Sequence, residues 1–357
     1  MAALIPTFLL GYSDSSFTNP HEVLKTQEPQ ERTGTFTHMG AQYWGFESKR
    51  HIATTITDDG NAFDFDHDAH EYFDIGFKTA AVVSEFKIST RWFTGNQVPV
   101  ISIQLVHKGE TSEVLHRQKL SPDAEHQFDI TPTLADECRI LCYHEGGISR
   151  VNIFGELAHD NAASVNLLEN VEISHISNEH YGRPHDAVSG SRQVDYMLGW
   201  ESARTGFGEQ AVFHLQAPAQ ITQIDVDTYL HRLNPPLSCH VYGLSVSESG
   251  DLDSNYEQRP KWSIQFEDGS VIVPEDFKTY MLQEKFLEEP IANNRRFKIK
   301  LHLPQGSPWL PIVPFGALKP DTYHRFKTEQ TPEPITHLLY MHYPNGGIHG
   351  LKAFAEG

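Results

Sequence analysis

The stretch Met197-Leu198-Gly199-Trp200-Glu201-Ser202-Ala203-Arg204 decides the fold, because a second version of it, Tyr43-Trp44-Gly45-Phe46-Glu47-Ser48-Lys49-Arg50, stands 154 positions earlier (201 − 47). A shared Gly-aromatic-Glu-Ser-x-Arg pattern means a repeat only if later segments recur in the same order. They do. Glu85 to Asn96 precedes an alternating run at Val100 to Val106, and Gln223 to Asn234 precedes another at Ser238 to Tyr242. Each half closes on a Gly-Gly element, Tyr143 to Glu156 in the first and Tyr343 to Glu356 in the second. The Gly-Gly pair predicts a tight turn with positive φ.

Between these markers the pattern is one of strands. Ile101, Ile103 and Leu105 alternate with Ser102 and Gln104, and Ile224 and Val226 alternate with Asp225 and Asp227, a period of two. The 21 prolines spread along the chain are hard to fit into a helical bundle. The fold class expected is therefore all-β, two tandem jelly-roll β-sandwich domains over residues 1–158 and 171–357, with His159 to Asn170 as the linker. The second copy is longer between its middle and closing motifs, and the extra length falls around Gly243 to Leu318. One helix is expected there, Pro274 to Glu289, with Phe277, Tyr280, Met281 and Leu287 on one face.

A formal charge of −19, from 28 Lys+Arg against 47 Asp+Glu, argues against nucleic acid or an anionic membrane as partner. A small-molecule substrate is expected instead, and a homo-oligomer is compatible with the sequence. The apolar opening Ala2 to Leu10 is far short of the ~20 residues of a membrane span and has no cationic leader, so it reads as a packed terminal segment. Cys138, Cys142 and Cys239 form no disulfide framework, and their odd number suits a reducing, cytoplasmic setting. No phosphate loop, dinucleotide fingerprint or serine-hydrolase elbow is present, which lowers kinase, dehydrogenase and serine-hydrolase readings.

These ordered elements resemble the allantoicase family, whose chains are tandem repeats of a jelly-roll, galactose-binding-like sandwich. The resemblance runs over nearly the whole chain. Ser177 to Pro184 is similar to the family's domain opening, Gly199 to Arg204 to its Gly-Trp-Glu-Thr-Arg-Arg motif, and Asp227-Thr228 with Asn234 to its Asp-Thr…Gly-Asn segment. Trp309 to Pro314 and Leu318 to Phe326 resemble the stretch that leads to the closing strand pair. The sequence departs from the family where Met-Gly-Asp-Gly-Trp-Glu is usual: the Asp position holds Leu198 in one copy and Trp44 in the other. A large apolar group there removes a carboxylate acceptor.

The activity this resemblance implies is release of urea from allantoate, a carboxylate whose α-carbon carries two ureido groups. Such a substrate calls for a cation on the carboxylate, an acid for the departing urea and a base for water. The catalytic candidates are Glu201, Glu47, His231 and Asp227. The binding candidates are Arg204, Arg50, Trp200, Trp44, Leu198, Asn234, His342 and His144. Each has a plainer alternative: Glu201 with Arg204 and Glu47 with Lys49 and Arg50 as structural ion pairs, Asp227 to Asn234 as a solvated turn, and the histidines as ordinary surface groups. No cofactor is expected. The acidic run with Asp64, Asp66 and Asp68 lacks the Gly and bidentate Glu of a calcium loop and reads as a solvated turn rather than a cation site. Two other functions stay open on the same fold: an enzyme of natural-product biosynthesis that shapes a hydrophobic small molecule for cyclisation or isomerisation, and a non-enzymatic small-molecule or sugar-binding module.

Overall fold

A computed structural model describes residues 2–15, 17–32, 45–158, 165–189, 192, 199–246, 251–286, 296–328 and 331–355. Tyr43, Trp44, Met197, Leu198 and Leu287 lie outside the described residues. The chain forms two compact units, Met1–Ala163 and Ser164–Gly357. Each is built mainly of antiparallel strands, as the period of two predicts.

In the first unit two long strands, His70–Ser89 and Glu125–Tyr143, pair along their length, with register breaks after Gly76 and Val83. Before the first break they carry Thr7–Tyr12 and Val100–His107 as neighbours; beyond it, Arg150–Leu157, which in turn pairs with Ala3–Leu4. The apolar opening is thus sheet, with Ile5 and Leu9 buried. Two layers close over one core, Phe73, Ile75, Ile103 and Ile140 meeting Phe86, Ile88, Val151 and Ile153. Alternation places one face of each strand inside, which is how the sandwich buries its apolar half.

The second unit repeats the plan with the layers as separate sheets. Five strands run in the order Glu172–Ser174, Glu209–Ala219, Ile335–Tyr343, Ser238–Leu244, Leu310–Ala317, and three in the order Tyr323–Lys327, Ile221–Asp227, Gly350–Ala355. Phe213, Val241, Leu338 and Tyr340 of the first layer pack with Ile224, Val226, Leu351 and Ala353 of the second. Part of the expected linker belongs here: Leu168 is buried and the Leu167 amide donates to the Ala353 carbonyl at 2.9 Å. A small third sheet, Tyr181–Gly182, Trp200–Glu201 and Gly347–Ile348, sets Glu201 opposite Gly347. Its counterpart in the first unit pairs Glu47 with Gly147.

The extra length of the second copy is folded. In the first unit the strands Val100–His107 and Glu110–Lys119 are joined by Lys108 and Gly109, both at positive φ. In the second unit the same connection takes in the helix Leu252–Glu257, a sheet of Val271–Ile272, Lys261–Phe266 and Phe297–His302, and the helix Phe277–Phe286. This last helix starts three residues after Pro274, where Asp276 caps it by accepting from the Thr279 amide at 3.0 Å. A second core, with Phe207, Tyr242, Trp262, Phe277, Met281, Leu339 and Met341, seals the excursion onto the five-stranded sheet.

Cys138, Cys142 and Cys239 are buried free thiols, and burial pushes all three above the usual thiol range. Among the described residues no helix is long and apolar enough to cross a membrane.

Candidate active site in the second repeat

The two repeats share a scaffold at one end of the sandwich. Thr228 Oγ donates to the Lys319 carbonyl at 2.6 Å, and Asp321 accepts from the Leu230 amide at 2.9 Å. In the first repeat Thr90 donates to the Ser121 carbonyl at 2.6 Å and Asp123 accepts from the Trp92 amide at 2.9 Å. Leu230 and Trp92 both take positive φ, a conformation costly for large side chains that this bonding holds in place.

The side chains set on that scaffold differ. Strand register and order put Asp227, His231, His349 and Gly350 in the second repeat where Ser89, Phe93, Ser149 and Arg150 stand in the first. Glu201 with Asn234, matched by Glu47 with Asn96, are common to both, as are Ser202 and Ser48, which accept from the Gly346 and Gly146 amides at 3.0 and 3.2 Å. Gly346 and Gly146 have the positive φ expected of the Gly-Gly turns. The second glycine serves another need, since a Cβ on Gly347 would overlap the His231 ring and one on Gly147 the Phe93 ring. The same close approach therefore seats a titratable ring in one repeat and an inert one in the other.

Asp227 ends the strand Ile221–Asp227, buried, and Arg192 grips it twice, Nε to Oδ2 at 2.7 Å and Nη2 to Oδ1 at 2.9 Å. Burial works against the Arg192 charge, but the Asp227 carboxylate, with Asp321 adding to it, more than offsets it and holds the guanidinium charged. The Arg192 guanidinium also lies over the Tyr229 ring at 4.7 Å. Beside the pair opens a narrow cleft of about 20 Å³, lined by Ser189, Asp225, Tyr323, His349 and Lys352. Asp225 accepts from Tyr323 Oη at 2.7 Å and from Gln223 Nε2 at 2.8 Å. Burial nevertheless raises the Asp225 carboxyl above the usual range and lowers Lys352 below its own. Burial likewise depresses His349 and His231, against the pull of Asp227 on both and of Glu201 on His231. A neutral imidazole such as His349, in one cleft with a carboxyl that holds its proton unusually well, is suited to passing protons in both directions.

The structure sorts the sequence candidates. It brings together Glu201, His231, Asp227 and Asn234, with His231 Nδ1 3.4 Å from Asn234 Oδ1. In the other unit, Glu47 is half-buried, accepts from Asn96 Nδ2 at 2.9 Å, and is raised by burial. Arg204 and Arg50 are exposed, and the direct ion pairs considered for them with Glu201 and Glu47 do not form among the described residues. Two binding assignments are corrected. Trp200 is fully buried, donating to the Asn178 carbonyl at 2.8 Å, and His342 is fully buried against it at 4.9 Å between ring centroids. Both are core, because the strands that carry them turn them inward. His144 stacks on Phe65 at 5.4 Å, away from Glu47's hydrogen bonds. Trp44 and Leu198 lie outside the described residues. In the acidic run, Asp66 accepts from the Asp68 amide at 2.8 Å, Asp68 pairs with Arg117, and Asp64 sits in a hairpin strand opposite Thr55. Among the described residues no three His, Cys, Asp or Glu side chains are grouped to hold a metal ion.

Sequence reasoning missed Arg192, Asp225, Tyr323, His349 and Lys352. Asp225 and Lys352 are direct cross-strand partners, and polar residues on strands otherwise devoted to the core were the available signal. Arg192 had none, since its partner lies 35 positions on.

The model of the allantoicase repeat family matches residues 5–158 and 165–288, and the chain belongs to that family. It is 25% identical to the allantoicase of Neurospora crassa, over 98% of this chain and 88% of that protein. It is also 25% identical to a probable allantoicase of Pseudomonas savastanoi pv. phaseolicola, over 99% of this chain and 94% of that protein. A crystal structure of Saccharomyces cerevisiae allantoicase is similar at 18% identity and a TM-score of 0.35, covering 98% of this chain and 90% of that one.

Proposed function

We propose that the second repeat hydrolyses a C–N bond of allantoate, or of a closely related ureide, and releases urea. The observation that carries this reading is the difference between repeats on a common scaffold: Asp227, His231 and His349 against Ser89, Phe93 and Ser149. Family membership supplies the substrate class. Lys352, with Arg192 behind it, offers positive charge to the substrate carboxylate. The Asp225 carboxyl gives a proton to the departing ureido nitrogen, and neutral His349 takes one from the water that replaces it. Asp227 orients Arg192, while His231 and Glu201 form the polar wall beside them. The charged lining of the cleft favours a ureide over a hydrophobic ligand.

Urea release from allantoate is the decisive assay. Asp225→Asn and His349→Ala should each lower kcat/KM by about 10²- to 10⁴-fold, the usual worth of a positioned acid or base. Absence of urea from both allantoate and ureidoglycolate with the intact chain would sink the reading. Because acid, base and cations are all side chains in this scheme, no metal cofactor is part of it; prolonged dialysis against a chelator should leave the rate unchanged. The reading extends to a small-molecule partner and a reducing, cytoplasmic setting, with which three buried unbridged thiols agree.

A further inference from the structure

We infer that the folded excursion of the second repeat is a clamp on the loop that follows Glu201, and that Lys278 is its positioning residue. Residues 202–208 connect the strand Trp200–Glu201 to the strand Glu209–Ala219. One side of this loop is fixed to the closing turn: the Ser202 amide donates to the Gly346 carbonyl at 3.0 Å, the Gly208 amide to the Pro344 carbonyl at 2.7 Å, and Asn345 Nδ2 to the Gly206 carbonyl at 2.8 Å. The other side is held by the excursion. Phe207 is buried with Trp262 and Phe277, and the Trp262 ring lies so close over Gly208 that a Cβ there would overlap it. Lys278, on the helix Phe277–Phe286, places Nζ 3.5 Å from Oε1 of Glu209, whose side chain is 2% exposed. Ser177 Oγ donates to the other oxygen of the same carboxylate.

The first repeat shows what this contact replaces. Glu71 is the counterpart of Glu209, since each pairs across the sheet with the residue before the closing Tyr, Cys142 in one case and His342 in the other. The cation on Glu71 is Lys49, with Nζ at 3.6 Å, and Lys49 belongs to the loop itself, two residues after Glu47. The position two residues after Glu201 is Ala203, which has no charge to offer. A buried carboxylate without a cation is costly, so the loss of the loop's own lysine has to be matched from elsewhere. In this chain the match comes from the excursion, which ties the order of the Glu201 loop to the docking of a separate element. The first repeat, with its two-residue turn at Lys108 and Gly109, has no such dependence.

The role of the loop in turnover rests on the function proposed above; the clamp does not. Two variants of the full chain separate them. Lys278→Met removes the cation, and Ala203→Lys combined with Lys278→Met restores it in the manner of the first repeat. Hydrogen exchange of the amides of residues 202–209 should quicken about tenfold in the single variant and return toward the parent in the double. With allantoate, the single variant should raise KM more than it lowers kcat, and the double should recover KM. Exchange unchanged in Lys278→Met, exchange quickened equally throughout the unit, or no recovery with Ala203→Lys would each overturn the clamp. A parent chain inert toward allantoate would remove only the kinetic arm, and the exchange arm would still decide.

Discussion

Replacing Asp227 by alanine should destabilise the second repeat by about 3–5 kcal/mol and abolish turnover, because it takes the carboxylate from a buried guanidinium. Arg192 is bonded through two nitrogens and is held charged by that carboxylate. Water cannot readily take the place of Asp227, whose side chain is 5% exposed. The double variant Asp227→Ala/Arg192→Leu removes both charges and should regain most of the lost stability while remaining inactive. Urea denaturation of the parent, both singles and the double gives the coupling between the two residues directly. Additive single effects would mean that the two side chains do not act as one unit. The first repeat makes the same point in its own sequence: with Ser89 in place of Asp227, its guanidinium is Arg150, and Nε and Nη1 are satisfied by the Gln27 and Ser149 carbonyls at 2.8 and 2.6 Å.

Acidification should cost the second repeat about 4–5 kcal/mol through His342 alone. Its imidazole is fully buried and pushed down to about 3 by burial, with His240 adding to the effect. Among the described residues Nδ1 has no hydrogen-bond partner, and Nε2 lies 3.4 Å from Ser202 Oγ. The unfolded chain protonates an ordinary histidine near 6.5, so it takes up the proton first as pH falls. The stability His342 contributes is therefore complete above pH 6.5, declines as pH drops below it, and is gone near pH 3. His337, lowered to about 4 by burial and by His214 beside it, acts in the same direction within a narrower window. Substituting His342 with cysteine, the residue at the matching place in the first repeat, should flatten the pH dependence of the urea midpoint between 6.5 and 3. A slope identical to the parent's would refute the assignment.

The fold was legible because its determinants are local and repeated. Alternation such as Ile101, Ile103, Leu105 states which face of a strand is buried, and a motif met twice in order states that the arrangement occurs twice. The same local logic pointed to Asp227, His231 and Glu201, which lie within a few residues of motif glycines and strand ends. It misassigned Trp200 and His342. Their place beside the motif said nothing about which side of the strand they face, and a one-residue change of facing separates a ligand contact from the core. His349 is legible only beside Ser149, once the two closing elements are aligned.

By itself, then, the sequence determined the all-β class, the duplication, the family, and the polar strand end at Asp227. Those follow from periodicities of a few residues and from order along the chain. Tertiary structure alone decided that Arg192 reaches Asp227, that Asp225, Tyr323, His349 and Lys352 share one cleft, and that Lys278 crosses to Glu209. These partners are brought together by sheet pairing and by burial across 35 to about 125 positions. Burial also set the proton affinities of the site, and no residue's own chemistry announces how much water the fold will take from it.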